Sequence, residues 1–121
     1  MPITSRYLFA VRMDVQPQRE PVFNEVYDRE HVPELLKVPG VLSAARFRAQ
    51  EFELLMGGER KKVGVAGEPR YLAVYEVESP GVLTSAAWGD AVERGRWPAE
   101  VRPYTLNRRH ALYKRIQPLS P

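Results

Sequence analysis

FNEVYDREHVPELLKVPGV, residues 23–41, carries the pattern of an amphipathic helix that ends in a turn. Pro33 interrupts this helix, because a proline in a helix interior removes a backbone hydrogen bond and costs about 3 kcal/mol. We therefore predict a helix over about residues 20–38, with either a kink at His31 and Val32 or a division into two short helices. The apolar side chains that define it recur at steps of three and four residues; they are Phe23, Val26, Tyr27, Leu35 and Leu36.

Four further segments alternate in the manner of strands, namely residues 6–14, 41–50, 70–78 and 104–116. Residues 70–78 are largely apolar on both sides, so we expect this strand to lie inside the sheet. A second helix should follow it, with Ser79 as its N-cap and Pro80 in its first turn, and continue to Gly95. The glycines and lysines of residues 51–69 predict a long loop or a flexible hairpin.

The resulting order is strand, helix, strand, strand, helix, strand. This is the split βαβ or ferredoxin-like arrangement, an α+β fold with a four-stranded antiparallel sheet and two helices on one face. The length of 121 residues suits a single domain over residues 1–121. Apolar residues also occupy the other face of the predicted sheet, and a homodimer that packs sheet to sheet would cover them.

Composition narrows the classes of function. The chain is 44% hydrophobic and 27% charged, as in ordinary globular proteins, and nothing in it is typical of a membrane protein. It has no cysteine, which excludes disulfides, thiolate metal sites and cysteine nucleophiles and is consistent with a cytoplasmic protein. The N-terminus lacks the order of segments in a signal peptide, so we expect mature, cytoplasmic sequence.

The net charge of +3 would permit nucleic-acid binding, but the 18 basic residues are scattered among 15 acidic ones. The denser basic groups, at residues 60–62 and 108–110, lack the interleaved aromatic residues and glycines of nucleic-acid-binding motifs. We therefore predict no nucleic-acid partner.

The run FNEVYDREHVPELLKVPGV and the later run RYLAVYEVESPGVLTSAAW together resemble the dimeric α/β-barrel superfamily, in particular its EthD-like branch. In that branch an aromatic, acidic, histidine and proline signature on the first helix precedes a Pro-Gly-Val turn. The resemblance implies a ferredoxin-like protomer whose sheet pairs with that of a second copy, and a small pocket between the sheet and the helices. Members include cofactor-independent monooxygenases, isomerases, cyclases, dehydratases, decarboxylases, haem-binding enzymes and proteins without assigned activity, so the fold does not name the reaction.

Phe23, Tyr27 and His31 follow one another at four-residue steps and share one helical stripe, which would face the pocket. An imidazole has an ordinary pKa of about 6.5, which suits proton transfer at neutral pH. Our hypothesis makes His31 the acid or base, Tyr27 a hydrogen-bond partner of the substrate oxygen, and Asp28 the carboxylate that orients the imidazole. In the structural alternative, His31 bridges the break at Pro33 and Tyr27 is ordinary core.

The other candidate residues also have both a functional and a structural interpretation. Trp88 and Trp97, with Tyr71 and Tyr75, would form flat apolar walls for a ligand or belong to the core, and Phe23 is a further candidate for substrate binding. Arg108 and His110 share a predicted strand face with Leu106, and would bind an anionic or phenolic oxygen or lie at an interface or the surface. No HxH or HExxH spacing supports a metal site, so we predict none.

These observations favour a small homodimeric enzyme without a cofactor that moves protons on an apolar, ring-bearing metabolite, as a lyase, isomerase, cyclase or monooxygenase-like protein. The alternative is a non-catalytic accessory or stress-response protein that binds a small ligand or haem. Haem would need an axial ligand, for which His31 and His110 are the candidates.

Overall fold

The computed structural model describes residues 5–118 as six strands joined by short helical segments. The strands are β1 (Tyr7–Val15), β2 (Val41–Arg48), β3 (Phe52–Met56), β4 (Glu59–Val63), β5 (Tyr71–Val77) and β6 (Thr105–Lys114). The α-helices are α1 (Glu20–Val26), α2 (Val32–Leu36) and α3 (Ala86–Ala91). Two π-helical turns span Tyr27–His31 and Trp97–Val101, and three 3₁₀ turns span Pro17–Arg19, Pro80–Thr84 and Arg102–Tyr104.

Four strands form one antiparallel sheet in the order β2, β5, β1, β6. Strands β1 and β5 occupy its centre, and their register places Phe9 opposite Tyr75 and Val11 opposite Ala73. The apolar pattern of residues 70–78 correctly predicted an interior strand. The strand order and the helices on one face confirm the ferredoxin-like α+β fold.

The first helix is continuous but changes its hydrogen-bond pattern one turn before Pro33. Between α1 and α2 the backbone widens into the π-helical turn Tyr27–His31, where the N–H of Val32 bonds to the carbonyl of Tyr27, five residues earlier. A wider turn accommodates a proline, which has no N–H to donate and whose ring crowds the preceding turn. The predicted irregularity at Pro33 is therefore a π-helical turn.

The second helix begins later than predicted. Residues 80–84 form a 3₁₀ turn, and Ser79 makes no side-chain capping bond. The N-cap is Ser85, whose hydroxyl accepts a hydrogen bond of 3.2 Å from the backbone N–H of Trp88. The prediction chose Ser79 because Ser-Pro is a strong start signal, but that signal starts only the 3₁₀ turn.

A β-bulge changes the faces of β6. The register slips between Arg12 and Asp14 of β1, and Asn107 takes a positive φ of 53°. Leu106 consequently pairs with Asp14, on the sheet face opposite to that of the buried Met13. The prediction that Leu106 shares a face with Arg108 and His110 was wrong, because strict alternation holds only as far as the bulge.

Residues 51–69 contain a hairpin, the second of the two predicted possibilities. Strands β3 and β4 pair with each other and not with the main sheet. Gly57 and Gly58, with φ of 61° and 78°, make the tight turn that joins them. Most of the hairpin's side chains are exposed.

The two faces of the main sheet differ in what covers them. The helix-covered face holds the core, in which Phe23, Val26, Leu35, Tyr75, Val77 and Val101 are almost wholly buried. The open face presents the alternate side chains, including the exposed Phe47 and Tyr113. None of the helices within residues 5–118 is long and apolar enough to cross a membrane.

Candidate functional site

A cavity of about 230 Å³ lies between the helix-covered face of the sheet and the helices. Its position agrees with the pocket that the family resemblance implies. Its walls come from β1, β5, β6, α2, α3 with its C-cap residue, both π-helical turns and the 3₁₀ turn before β6. The lining residues are Phe9, Val11, Met13, Tyr27, His31, Leu35, Tyr75, Trp88, Val92, Trp97, Arg102, Arg108 and His110.

The π-helical turn points two of the candidate residues into this cavity. Tyr27 and His31 lie at its two ends, with ring centroids 5.3 Å apart in an edge-to-face arrangement. Both side chains are buried, at 3% and 7% exposure. The predicted stripe of Tyr27 and His31 therefore faces the cavity.

Trp97 holds the imidazole of His31 in place. The two rings stack with centroids 3.9 Å apart and an angle of 11° between their planes. Glu30 and Arg96, which directly precede His31 and Trp97, are hydrogen-bonded to each other. Glu30 accepts hydrogen bonds of 2.9 Å from the backbone N–H of Arg96 and 2.6 Å from its Nε. This ion pair fixes the segment that carries Trp97 against the turn that carries His31.

His31 is uncharged at neutral pH. Burial lowers the pKa of its imidazole to about 4, and the positive charge of Arg102 lowers it further in the same direction. Its Nδ1 atom is buried and has no hydrogen-bond partner. The hydrogen-bonding capacity of this nitrogen is therefore unused within residues 5–118.

Tyr75, which lines the same cavity, carries a second buried polar atom without a hydrogen-bond partner. Its Oη is buried and makes no hydrogen bond of ordinary distance and angle, although it lies close enough to the Tyr27 hydroxyl to be affected by it. Burial, and then the neighbouring Tyr27, raise the pKa of Tyr75 well above its usual value. The pKa of Tyr27 is also raised by burial. Both hydroxyls therefore keep their protons at neutral pH.

Positive charge lines the outer part of the cavity. Arg102 is bound by Glu93, to which it donates hydrogen bonds of 3.0 and 2.7 Å, and by the carbonyl of Val92 at 2.7 Å. Arg108 and His110, on β6, are exposed. The ring of His110 stacks on Phe9 with centroids 6.0 Å apart. The cavity thus has a neutral interior and a cationic mouth.

The structure gathers most of the candidate residues around one cavity. His31, Tyr27, Tyr75, Trp88, Arg108 and His110 all line it. Arg108 and His110 therefore lie on the pocket side of the sheet, which is the first of the two alternatives given for them.

Two candidates lie elsewhere. Phe23 is 0% exposed and packs against Tyr27, Tyr71 and Trp97, so it is core and not a ligand wall. Asp28 is exposed and pairs with Arg46 at 2.7 Å, outside the cavity. The widened π-helical turn rotates Asp28 away from His31, so the structure does not support an orienting role for its carboxylate.

Arg102 is the charged cavity residue that sequence reasoning missed. It sits in the 3₁₀ turn before β6, and its place depends on Glu93, nine residues earlier. No motif marks it, because the pair forms only when the chain folds back after α3. Within residues 5–118, no group of three or more His, Asp or Glu side chains is arranged to hold a metal ion.

Comparison with known proteins identifies the fold. The sequence matches no protein-family model and no curated protein. The structure superimposes on the haem degrader MhuD from Mycobacterium tuberculosis with two haems in its active site, with a TM-score of 0.57, 18% identity and coverage of 94% of this chain and 99% of that chain. A variant of MhuD with two manganese protoporphyrins per active site gives a TM-score of 0.62 at 15% identity, covering 95% and 99%.

An EthD family protein from Bacillus halodurans also superimposes, with a TM-score of 0.55, 13% identity and coverage of 91% of this chain and 99% of that chain. The chain therefore shares its overall fold with these proteins, which agrees with the α+β fold predicted from the sequence.

Proposed function

We propose that this protein binds a small, ring-bearing compound in the cavity and acts on it by proton transfer without a redox cofactor. One observation carries the proposal. Within residues 5–118, the buried side-chain polar atoms that lack a hydrogen-bond partner are His31 Nδ1 and Tyr75 Oη, and both residues line this cavity. Buried polar groups in folded proteins are nearly always hydrogen-bonded. Two unpartnered groups at one cavity indicate that a ligand completes their bonds.

The size of the cavity favours a single ring. Its volume of about 230 Å³ is below the range of roughly 300 Å³ and above that is usual for drug-sized ligands. Its walls include the rings of Phe9, Trp88 and Trp97, which would pack against the flat faces of such a compound.

The chemistry follows from the protonation states. His31 is unprotonated at neutral pH, so it serves as the base. It would accept a proton from a C–H next to a carbonyl, and the electron pair of that bond would move to the carbonyl oxygen as an enolate. Tyr75, which keeps its proton, would donate a hydrogen bond to that oxygen. In a β,γ-unsaturated carbonyl compound, return of the proton from His31 to the γ-carbon re-forms the carbonyl group and shifts the C=C bond into conjugation with it, which completes an isomerisation.

Solvent exchange of a model compound tests this proposal. Para-hydroxyacetophenone carries one ring, a carbonyl and exchangeable C–H bonds. Its binding is followed by the fluorescence of Trp88 and Trp97, and its deuterium uptake in D₂O by proton NMR. We expect exchange above the buffer rate, its loss in His31→Gln, and a fall of about tenfold to a hundredfold in Tyr75→Phe.

Tyr113→Phe is the matched control, because Tyr113 is 57% exposed and lies on the open face of the sheet. The Tyr113→Phe variant should support deuterium uptake by the compound at the wild-type rate. Undiminished exchange in His31→Gln would show that His31 is structural, the alternative considered for it from the sequence.

Haem binding is the second candidate. The observation in its favour is the neutral, buried imidazole of His31, a ligand type that haem iron accepts, together with the porphyrins held by the two MhuD structures. The cavity does not fit this group as it stands, because about 230 Å³ is too small for a porphyrin. Titration with hemin tests it: a Soret band that His31→Gln abolishes would favour haem over a single-ring ligand.

We also propose that a second copy of the chain covers the open face. Apolar side chains occupy this face on all four strands of the sheet, and exposed apolar surface of this kind marks interfaces; they include Leu8, Ala45, Phe47, Leu72, Val74 and Ala111. Sedimentation velocity should give twice the mass of the chain. Phe47→Glu should reduce it to the mass of one chain, since it places a charge on an apolar contact.

A further inference from the structure

We propose that the ligand of this cavity is a single-ring carboxylic acid whose carboxylate binds Arg108, beside His110, at the mouth. The inference rests on the proposed function, because it names the substrate class of the same cavity. It concerns the outer end of the ligand, whereas His31 and Tyr75 address the inner end.

The lining of the cavity is electrically one-sided. It contains two arginines and two histidines, and none of its residues is an aspartate or a glutamate. An anion that enters therefore meets the guanidinium of Arg108, while the carboxylate of Glu93, just outside the lining, is bound to Arg102. A cationic ligand would meet the opposite conditions.

The two arginines of the lining differ in their partners. Arg102 is held by both carboxylate oxygens of Glu93 and by the carbonyl of Val92, so its charge is already compensated. Arg108 makes no hydrogen bond, ion pair or ring contact within residues 5–118. Its planar guanidinium can bind both oxygens of a carboxylate at once.

The β-bulge of β6 explains why Arg108 has no partner. Asp14 lies across from the bulge, but one of its oxygens accepts a hydrogen bond of 2.8 Å from Asn107 and the other accepts one of 2.7 Å from the backbone N–H of Arg70. Arg108 follows Asn107 on the cavity side, past this carboxylate. The local structure therefore satisfies Asp14 and leaves Arg108 for a ligand.

Phe9 lies between the exposed and the buried residues of the lining, with ring centroids 6.0 Å from His110 and 6.1 Å from Tyr75. An aromatic ring packed against Phe9 would therefore have His110 on one side and Tyr75 on the other. A carboxylate and a second oxygen on opposite sides of that ring would meet Arg108 at one end and Tyr75 at the other.

A pair of compounds of nearly equal shape tests the assignment. Para-hydroxybenzoate carries the carboxylate, and para-hydroxybenzamide replaces it with a neutral amide. We expect isothermal titration at neutral pH to show that the wild-type protein binds the acid about tenfold or more tightly than the amide, the ratio that a charge-assisted hydrogen-bond pair provides.

Two neighbouring arginines provide the matched variants. Arg108→Gln should lower the affinity for the acid to that for the amide, and should leave the affinity for the amide unchanged. Arg109→Gln removes the same charge from the next residue, which faces the open side of the sheet, and should preserve the preference for the acid. Sedimentation of both variants checks that they assemble as the wild type does.

Each other outcome overturns a defined claim. Equal affinities of the wild type for acid and amide would refute the carboxylate assignment while leaving the cavity as a site for neutral rings. An equal loss in both arginine variants would show that the preference comes from overall charge and not from Arg108. Binding of neither compound would refute the single-ring ligand and the carboxylate together.

Discussion

His31 and Glu76 are equally buried, each 7% exposed, but they lie on opposite faces of the sheet and differ in their partners. Glu76, on the open face, accepts a hydrogen bond of 2.6 Å from the hydroxyl of Ser43 and a second from the hydroxyl of Ser5. These bonds lower the pKa of the carboxyl, so Glu76 stays charged. His31, on the helix-covered face, has an unpartnered Nδ1 and a pKa lowered by burial.

The difference separates two uses of a buried polar group. Glu76 is buried with its hydrogen bonds complete, so it contributes to stability as a part of the fold. His31 and Tyr75 each have a buried polar atom without a hydrogen-bond partner, which costs stability. Groups of this kind are typical of ligand-binding sites. Substitutions on the two faces should therefore change stability and binding in different proportions.

The largest effect on stability is expected for Trp97→Ala. Trp97 is 5% exposed and packs against His31, Tyr27 and Phe23. Its removal leaves a large cavity and should lower the free energy of unfolding by about 3–5 kcal/mol, as measured by urea denaturation. Leu55→Ala is the control, because Leu55 is 76% exposed and lies on the hairpin outside the main sheet. An equal loss for Leu55 would show that burial does not set the cost.

The second effect is a pH dependence that belongs to His31. Because its folded pKa of about 4 is below the unfolded value of about 6.5, the unfolded state binds more protons between these values and stability falls as the pH falls through them. The loss should be about 2 kcal/mol between about pH 7 and about pH 5.

The control for this dependence is His31→Gln, which cannot take up a proton in that range. Its free energy of unfolding should change little over the same interval in urea titrations. A variant that keeps the wild-type slope would show that other groups cause it.

The sequence predicted the parts of the fold that depend on local pattern. Alternation located the four strands of the main sheet, and the apolar stripe placed Tyr27 and His31 on the inner side of the first helix. Prediction from the sequence failed where a local irregularity of the backbone interrupts the repeat of the strand or the helix. The bulge at Asn107 moves Leu106 to the other face, and the π-helical turn separates Asp28 from His31.

The candidate site was predicted in part for the same reason. His31, Tyr75 and Arg108 carry local signals, a helical stripe and two strand patterns. The partners that define their chemistry are distant in sequence: Trp97 stacks on a histidine 66 residues earlier, and Arg102 acts on that same histidine from the turn before β6. Such contacts depend on how the chain returns after α3, which no local pattern encodes.

A smaller effect is expected for Glu76→Gln. The substitution keeps the shape but removes the charge that strengthens the bonds from Ser43 and Ser5, so it should cost about 1–2 kcal/mol at neutral pH. The folded pKa of Glu76 is lowered, so its contribution is present above the unfolded pKa and is lost as the pH falls through the folded value.

The difference between Glu76→Gln and the wild type should therefore shrink in acid, at a lower pH than the His31 effect. Urea titrations of the two proteins over an acidic series measure it. A difference that stays constant with pH would show that shape, and not charge, is what Ser43 and Ser5 require.

The smallest effect on stability, and the one of opposite sign, is expected for Tyr75→Phe. Its hydroxyl is buried without a partner, so removing it also removes a desolvation cost and should leave stability unchanged or raise it by up to about 1 kcal/mol. The same change should weaken the binding of para-hydroxybenzoate, because its inner oxygen no longer receives a hydrogen bond from the Tyr75 hydroxyl. Urea denaturation and titration on one preparation give both values. If Tyr75→Phe lowers stability but not affinity, Tyr75 resembles Glu76, a group whose hydrogen bonds stabilise the fold. Removal of a hydroxyl that serves a ligand should instead weaken binding and leave the stability of the protein unchanged.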